Sequence, residues 1–307
     1  MRRGYDLVHR TTYEYDEPVT DSYGATALTP RDLPDQRVVS TVLEIDPAPA
    51  DTDVHVDYFG NTARYFAVTT GHRRLVVTCR STLEVSRVAP DLATLPRISW
   101  QDAAAALQAD DAAACGTDPA GLVGLHEMAL PSRHVTPGDE VRSWGAPTFA
   151  PGRPLVDVVV ELAHRIRHEL TYRTGATTVA TTQAQLLEQR AGVCQDFAHL
   201  AIAALRAQGL PARYASGYLE TRPRPGRPKL RGADASHAWL SAWIPGAGWL
   251  EIDPTNDTLV DDRYVILGWG RDYDDVPPLR GVIATEGPPA RPQVAVDLVP
   301  TGSEPFV

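Results

Sequence analysis

Apolar and polar residues alternate along the first 88 residues, and this pattern predicts an all-β region. Short runs rich in Val, Thr and Tyr are separated by turn signals such as Asp46-Pro47 and Gly60-Asn61. Short strands at this spacing are typical of a β-sandwich, so we expect residues 1–88 to form one as an N-terminal domain. The predicted strands cover residues 5–15, 38–45, 54–59, 63–68 and 75–85.

The periodicity changes to intervals of three and four residues in the middle of the chain, which predicts helices. Pro154 is well placed to begin a helix that ends near Leu170. Another helix begins at about Cys194, and Gly209 and Pro211 end it. The predicted fold class is therefore α+β.

Strands return after the second of these helices, and two of them read as a hairpin. A hairpin that pairs Ile244 with Trp249 offsets His237 and Asp253 by three positions. A β-bulge or a different turn register would close that gap, and the pattern alone leaves both open. The predicted strands are residues 212–220, 237–244 and 249–253.

A proline-bounded stretch at residues 90–96 reads as a linker between the β-sandwich and a second domain at residues 97–307. Two further strand-like runs, at residues 281–286 and 293–299, fall within this second domain and complete a sheet in our interpretation.

Composition and charge exclude several classes of partner. The chain has 307 residues, of which 43% are hydrophobic and 22% charged, as in ordinary globular proteins. A formal net charge of −10 argues against nucleic acid or an anionic membrane as the main partner. The N-terminus has no apolar run typical of a signal peptide, and no segment has the apolar length of a membrane span.

The three cysteines, Cys79, Cys115 and Cys194, are odd in number and far apart, which does not indicate a disulfide framework. We therefore expect a cytoplasmic protein. His164 and His168 have the helical spacing of metal ligands, but the central glutamate of a zinc hydrolase is missing and no third ligand has an obvious spacing. The prediction is no metal and no cofactor.

Cys194 is the first candidate for chemistry. A thiol in the first turn of a helix lies near unpaired backbone N–H groups and the positive dipole end, which favour the thiolate. The alternative is a core helix in which the cysteine is a small buried hydrophobic residue.

Two later residues complete a plausible mechanism. An imidazole from His237 would take the thiol proton, and a carboxylate from Asp253 would hold that imidazole in the correct tautomer. The backbone N–H of Cys194 is a ready donor to the oxyanion of a tetrahedral intermediate. These three groups would transfer an acyl group from an amide carbonyl through a thioester.

Four motifs in this order resemble the bacterial transglutaminase-like family, and the resemblance covers roughly residues 155–275. The resemblance implies a papain-like α+β core with catalytic residues Cys194, His237 and Asp253, and an accessory β-domain at the N-terminus. The motifs are Gly192-Val193-Cys194-Gln195-Asp196-Phe197-Ala198-His199-Leu200, Gly209-Leu210-Pro211-Ala212-Arg213-Tyr214 to Gly217-Tyr218-Leu219, Ser236-His237-Ala238-Trp239, and Gly248-Trp249 through Asp253-Pro254-Thr255.

Further residues are weaker candidates for supporting roles. Asp196 would orient the start of the helix, Trp239 would shield His237 from water, and Tyr218 would line the cleft. For each of them core packing or a structural hydrogen bond is the alternative. The Arg- and Pro-rich residues 221–232 are predicted to be an exposed loop, and whether it covers the cleft stays open.

The expected substrate is a peptide or protein amide. Hydrolysis competes with transamidation, because this fold hosts both reactions; we favour hydrolysis slightly. A non-enzymatic binding or scaffold protein of the same fold is the alternative, against which the Cys, His and Asp argue.

Overall fold

The computed structural model describes residues 2–221, 236–288 and 290–301. The loop expected at residues 221–232 therefore lies outside the described residues, apart from Thr221.

The N-terminal region is all-β, as its alternating pattern predicts. Tyr5, Leu7, Leu83 and Val85 are buried, while their sequence neighbours are partly or fully exposed. The sequence missed the second of six strands, which is short and contains Gly24. The strands are β1 (Arg3–Val19), β2 (Asp21–Thr26), β3 (Gln36–Asp46), β4 (Asp51–Val56), β5 (Thr62–Val68) and β6 (His72–Val85).

The described residues in the middle of the chain form six helices, which pack on a five-stranded antiparallel sheet. The strands of this sheet are, in spatial order, Thr258–Leu259, Gly248–Asp253, Ser236–Ile244, Ala212–Leu219 and Tyr264–Gly270. The helices are α1 (Trp100–Gln108), α2 (Pro119–Ala129), α3 (Asp139–Gly145), α4 (Leu155–Glu169), α5 (Gln183–Gln189) and α6 (Cys194–Arg206). The strands are β7 (Thr171–Tyr172), β8 (Ala191–Gly192), β9 (Ala212–Leu219), β10 (Ser236–Ile244), β11 (Gly248–Asp253), β12 (Thr258–Leu259) and β13 (Tyr264–Gly270).

Helix α6 lies at the centre of this second core, because every residue from Asp196 to Arg206 is buried. Its alanines allow the sheet and α4 to approach closely, and a helix that is apolar on most sides must be enclosed in this way. The buried guanidinium of Arg206 is satisfied by three backbone carbonyls, those of Met128, Ala212 and Arg271. Burial along nearly its whole length therefore fixes the position of α6, and with it the position of its first turn.

The last two strands, β14 (Leu279–Ala284) and β15 (Gln293–Pro300), lie in the N-terminal region and correct the expected domain boundary. β14 pairs with β2 and β15 pairs with β1, which gives two four-stranded sheets of order β14-β2-β5-β4 and β15-β1-β6-β3. Residues 279–284 and 293–300 thus belong to the β-sandwich and not to the second domain that the sequence predicts at residues 97–307. Pairing between such distant segments leaves no local sequence signal.

Two side chains of the β-sandwich join it to the second core by hydrogen bonds to backbone groups. The buried amide of Gln36 accepts from the N–H of Ile266 and donates to its carbonyl, both at 2.8 Å. Asn61 forms the same two bonds with Trp269 at 3.0 and 2.9 Å. Both partners lie in β13, an edge strand with a register shift between Ile266 and Gly268. These bonds satisfy backbone groups on the open edge of β13, the last strand of its sheet.

Among the described residues, no helix is long and apolar enough to cross a membrane.

Candidate active site

The first turn of α6 is held by a carboxylate from within the same turn. Asp196 accepts from the N–H of Val193 at 2.8 Å and from the hydroxyl of Thr177 at 2.7 Å. Gly192 permits this packing, since a Cβ there would lie 2.8 Å from Asp196 Oδ2. Cys194 follows as the first helical residue. Its own N–H is one of the groups that a helix start leaves without an intrahelical acceptor.

Cys194 differs from the other two cysteines in accessibility. Cys79 and Cys115 are each 2% exposed, whereas Cys194 is partly exposed. Burial also raises the pKa of the Cys79 and Cys115 thiols. Cys194 is therefore the thiol that a substrate can reach.

His237 and Asp253 lie side by side because the hairpin register differs by one residue from the simplest expectation. Leu240 pairs with Ile252 and Ile244 pairs with Gly248, without a bulge. One residue further along, Asp253 lies opposite Trp239, so His237 is two positions away on the same face. The imidazole Nε2 of His237 is 2.7 Å from Asp253 Oδ2.

Asp253 is fully buried and every oxygen of its carboxylate is engaged. Besides His237, Oδ2 accepts from Asn256 Nδ2 at 2.6 Å and from the Tyr264 hydroxyl at 2.8 Å. Oδ1 accepts from the backbone N–H groups of Thr255 and Asn256 at 2.8 and 3.3 Å. This cage fixes the carboxylate, and through it the ring plane of His237.

The electrostatics of the pair favour an imidazolium next to a carboxylate. Burial alone would lower the pKa of His237, but hydrogen bonds and charges from Asp253 and Cys194 outweigh it and raise the pKa to about 10. Burial would raise the pKa of Asp253, but hydrogen bonds from His237, Asn256 and Tyr264 lower it below its ordinary value. Since Nε2 faces Asp253, Nδ1 is the nitrogen left for the thiol of Cys194.

Two aromatic rings enclose the imidazole. Trp239 and Tyr264 are fully buried, and each ring centroid is 6.2 Å from that of His237. Gly217 leaves room for the indole, because a Cβ there would lie 2.7 Å from Trp239 Cη2. Trp239 thus lies next to His237, where the sequence predicts that it shields the imidazole from water. Its ring also packs in a small apolar cluster with Ala215.

The other predicted supporting residues are structural in their contacts. Asp196 orients the helix start, as described above. Tyr218 is buried on the sandwich side, where its hydroxyl is 2.7 Å from His9 Nδ1, so its expected place in the cleft is wrong. His199 is also buried and its Nε2 accepts from the N–H of Tyr273. The tyrosine and histidine both sit in motifs, which do not indicate which way a side chain points.

Three residues near the site carry no signal in the motifs. Asn256 and Tyr264 donate hydrogen bonds to Asp253, and Tyr172 lies beside the start of α6. Tyr172 pairs with Gly192 in the parallel β7–β8 pair, and its ring is 6.3 Å from Phe197 in the first turns of α6. Burial and the nearby charges of Cys194 and Asp253 raise the pKa of its half-exposed phenol. Tyr172 therefore lies beside the first turns of α6 with its ring partly open to solvent.

Comparison with known proteins gives two family matches on this chain. Residues 5–84 match the bacterial transglutaminase-like N-terminal region, and residues 142–254 match the transglutaminase-like superfamily. Together these matches cover most of the β-sandwich strands and the helix and hairpin that carry Cys194, His237 and Asp253.

Several relatives share these regions. An uncharacterized protein of Mycobacterium tuberculosis is 48% identical over 300 residues, which cover 96% of this chain and 92% of that protein. An uncharacterized protein of Mycobacterium leprae is 34% identical over 284 residues, or 92% and 93% of the two chains. A protein-glutamine gamma-glutamyltransferase of Pseudomonas aeruginosa is 36% identical over 103 residues, 32% of this chain and 15% of that protein.

A solved structure from Cytophaga hutchinsonii, provisionally described as a cysteine protease, has the same fold. It covers 99% of this chain and 92% of its own with a TM-score of 0.76, at 19% sequence identity. The likeness extends over both the β-sandwich and the second core.

Proposed function

The chain belongs to the transglutaminase-like superfamily, and from this premise we propose that it transfers acyl groups from peptide or protein amides by way of a thioester on Cys194. The observation that carries the proposal is the position of His237, whose imidazole is 2.7 Å from the caged Asp253 and interacts with the thiol of Cys194. A thiol, an imidazole and a carboxylate in this order are the parts of an activated nucleophile.

In the first half-reaction, the thiol proton moves to Nδ1 of His237 and the thiolate sulfur attacks the amide carbonyl carbon. The carbonyl π electrons move to oxygen, and the N–H of Cys194 is placed to donate to that oxyanion. As the oxyanion collapses, the C–N bond breaks and the imidazolium gives its proton to the leaving amine or ammonia. The product is a thioester on Cys194.

In the second half-reaction, His237 takes a proton from the acceptor, and the acceptor attacks the thioester. The C–S bond breaks, and the imidazolium returns its proton to the sulfur. With water as acceptor the product is a carboxylic acid, and with a primary amine it is a new amide. Asp253 keeps the imidazole in one orientation through both halves.

We propose water as the main acceptor, because Cys194 is partly exposed to solvent. We also propose a cytoplasmic protein, since none of the three cysteines is in a disulfide. Transamidation is the second candidate, because the Pseudomonas relative is named a protein-glutamine gamma-glutamyltransferase. That likeness spans 32% of this chain.

Product analysis separates the two candidates. The full chain is incubated with a glutamine-containing peptide, with and without a labelled primary amine, and the products are followed by mass spectrometry. Hydrolysis gives a free acid in both samples and no label in the peptide. Label in the peptide, absent with Cys194→Ala, would make transamidation the reaction and exclude water as the main acceptor.

A further inference from the structure

Two histidines and one aspartate meet on the surface beside the catalytic hairpin. His164 and His168 lie one turn apart on α4, and their ring centroids are 4.0 Å apart. Asp257, in the turn between β11 and β12, brings Oδ2 to 2.8 Å from His164 Nδ1. The ligand atoms that the three side chains offer all lie within 4.8 Å of one another.

We propose that these three residues bind one divalent transition-metal ion of the zinc, nickel or copper class. The spacing of the histidines alone lacked a third ligand, and the fold supplies it from 93 residues away. Two imidazole nitrogens and one carboxylate oxygen suit these metals, and water completes a tetrahedral site. Calcium and magnesium prefer oxygen ligands and fit poorly.

The hydrogen bonds around the site orient its ligands. His168 Nδ1 donates to the carbonyl of His164 at 2.8 Å, which leaves the Nε2 lone pair of His168 for a metal. Tetrahedral zinc holds nitrogen and oxygen ligands about 3.4 Å apart, given metal–ligand distances near 2.1 Å. His164 and Asp257 need only a small movement to reach that separation.

Arg165, which follows His164, has partners of its own. It donates to Glu169 at 2.7 Å, and its guanidinium lies 4.5 Å from the Trp144 ring centroid. The carboxylate of Asp257 is therefore available as a metal ligand. Its backbone has φ 54°, a left-handed conformation that aspartate tolerates at a modest cost.

A metal at this site would tie α4 to the turn that orients the catalytic carboxylate. Asp257 follows Asn256, which donates to Asp253 Oδ2 at 2.6 Å. A bound ion therefore stabilises the folded state and this turn in particular. Binding does not depend on the proposed acyl transfer, so it is measured without activity.

The experiment uses the full chain with Cys194→Ala, because the thiol would itself take a thiophilic metal. Zinc chloride is titrated by calorimetry, and Tm is followed with and without zinc. We expect one ion per chain and a rise in Tm. The double variant His164→Gln/His168→Gln in the same background should lose affinity by about tenfold or more, and Asp257→Asn should weaken it too.

The matched control is His126→Gln, which removes an exposed histidine that is 2.7 Å from Asp110 but has no second histidine beside it. Its zinc affinity should equal that of the background variant. Zinc binding that is unchanged in the double variant, or no saturable binding at micromolar zinc, would overturn the proposal. Magnesium binding as tight as that of zinc would also contradict the assigned metal class.

Discussion

The imidazole Nε2 of His237 lies 2.7 Å from Asp253 Oδ2, although the two residues are diagonal neighbours on β10 and β11 and not direct partners. Diagonal positions on one face of a sheet are about 7–8 Å apart at Cα, which side chains of this length bridge. The contact therefore requires no bulge, only a hairpin in which Ile244 pairs with Gly248. A shift of one residue in the pairing register would place the side chain of Asp253 on the opposite face of the sheet from His237.

Replacing the carboxylate of Asp253 by an amide tests its role in holding the imidazole. Asp253→Asn should lower kcat by roughly 10²–10⁴-fold while the fold is kept, because the wrong tautomer of His237 is favoured. The loss of the negative charge should also lower the raised pKa of His237, so the alkaline limb of the rate profile moves to lower pH.

The matched control is Asp257→Asn, assayed with a chelator present. It changes the same side chain four residues along, in a turn residue that contacts His164 and not His237. A wild-type alkaline limb in Asp253→Asn would contradict this coupling.

The stability of the protein should depend on pH through His237. Its pKa is raised to about 10 in the folded state, so its stabilising contribution is complete below its ordinary pKa of 6.5 and is lost as pH rises toward about 10. The lowered pKa of Asp253 works in the opposite sense, since its contribution is present above 3.8 and is lost as acid protonates the carboxylate.

The measurement is the free energy of unfolding in urea at several pH values under reducing conditions, for the chain with and without His237→Gln. We expect the difference between the two variants to shrink as pH rises from about 6.5 to 10. A difference that is constant over this range would show that the ion pair does not form.

Tyr264 is expected to be a positioning residue, because its hydroxyl donates to Asp253 at 2.8 Å. Tyr264→Phe removes one donor, so the pKa of Asp253 should rise and the acid limb of kcat/KM should move to higher pH. The free energy of unfolding should fall by about 1–3 kcal/mol. A purely structural role would lower stability without moving the acid limb.

Tyr218→Phe is the control for this change. Tyr218 is equally buried, but its hydroxyl contacts His9 in the β-sandwich. Its pH profile should match that of the wild-type chain.

The β-sandwich should stabilise β13, the edge strand of the five-stranded sheet. Gln36→Ala leaves the N–H and carbonyl of Ile266 without their partner, so we expect a loss of about 1–3 kcal/mol in the free energy of unfolding. Gln108→Ala, at the exposed end of α1, should change it by less than about 0.5 kcal/mol. Equal stability of the two variants would show that the Gln36 bonds contribute nothing.

Local patterns predicted much of this molecule because several of its determinants are local. The helix that begins at Cys194 and the hairpin that carries His237 and Asp253 follow from periodicity, glycine and proline. Five of the six N-terminal strands follow from alternation. The order of the motifs then predicted that Cys194, His237 and Asp253 act together at one site.

The remaining features depend on long-range contacts that leave no local pattern. The pairing of β14 and β15 with the N-terminal strands joins segments more than 200 residues apart. Tyr264 reaches Asp253 because β13 pairs with β9, and Tyr172 reaches the site because β7 pairs with β8. Tyr218 looks like a cleft residue in its motif, but its side chain is buried against β1.

The most direct test of the central claim is the rate at which Cys194 reacts with iodoacetamide, measured by mass spectrometry of the peptides that contain Cys79, Cys115 and Cys194. The account predicts that Cys194 reacts much faster than both buried thiols and faster than N-acetylcysteine at the same neutral pH. It also predicts that His237→Gln slows Cys194 about tenfold or more, because only the thiolate is nucleophilic. A rate no faster than that of N-acetylcysteine, and unchanged by His237→Gln, would contradict the account.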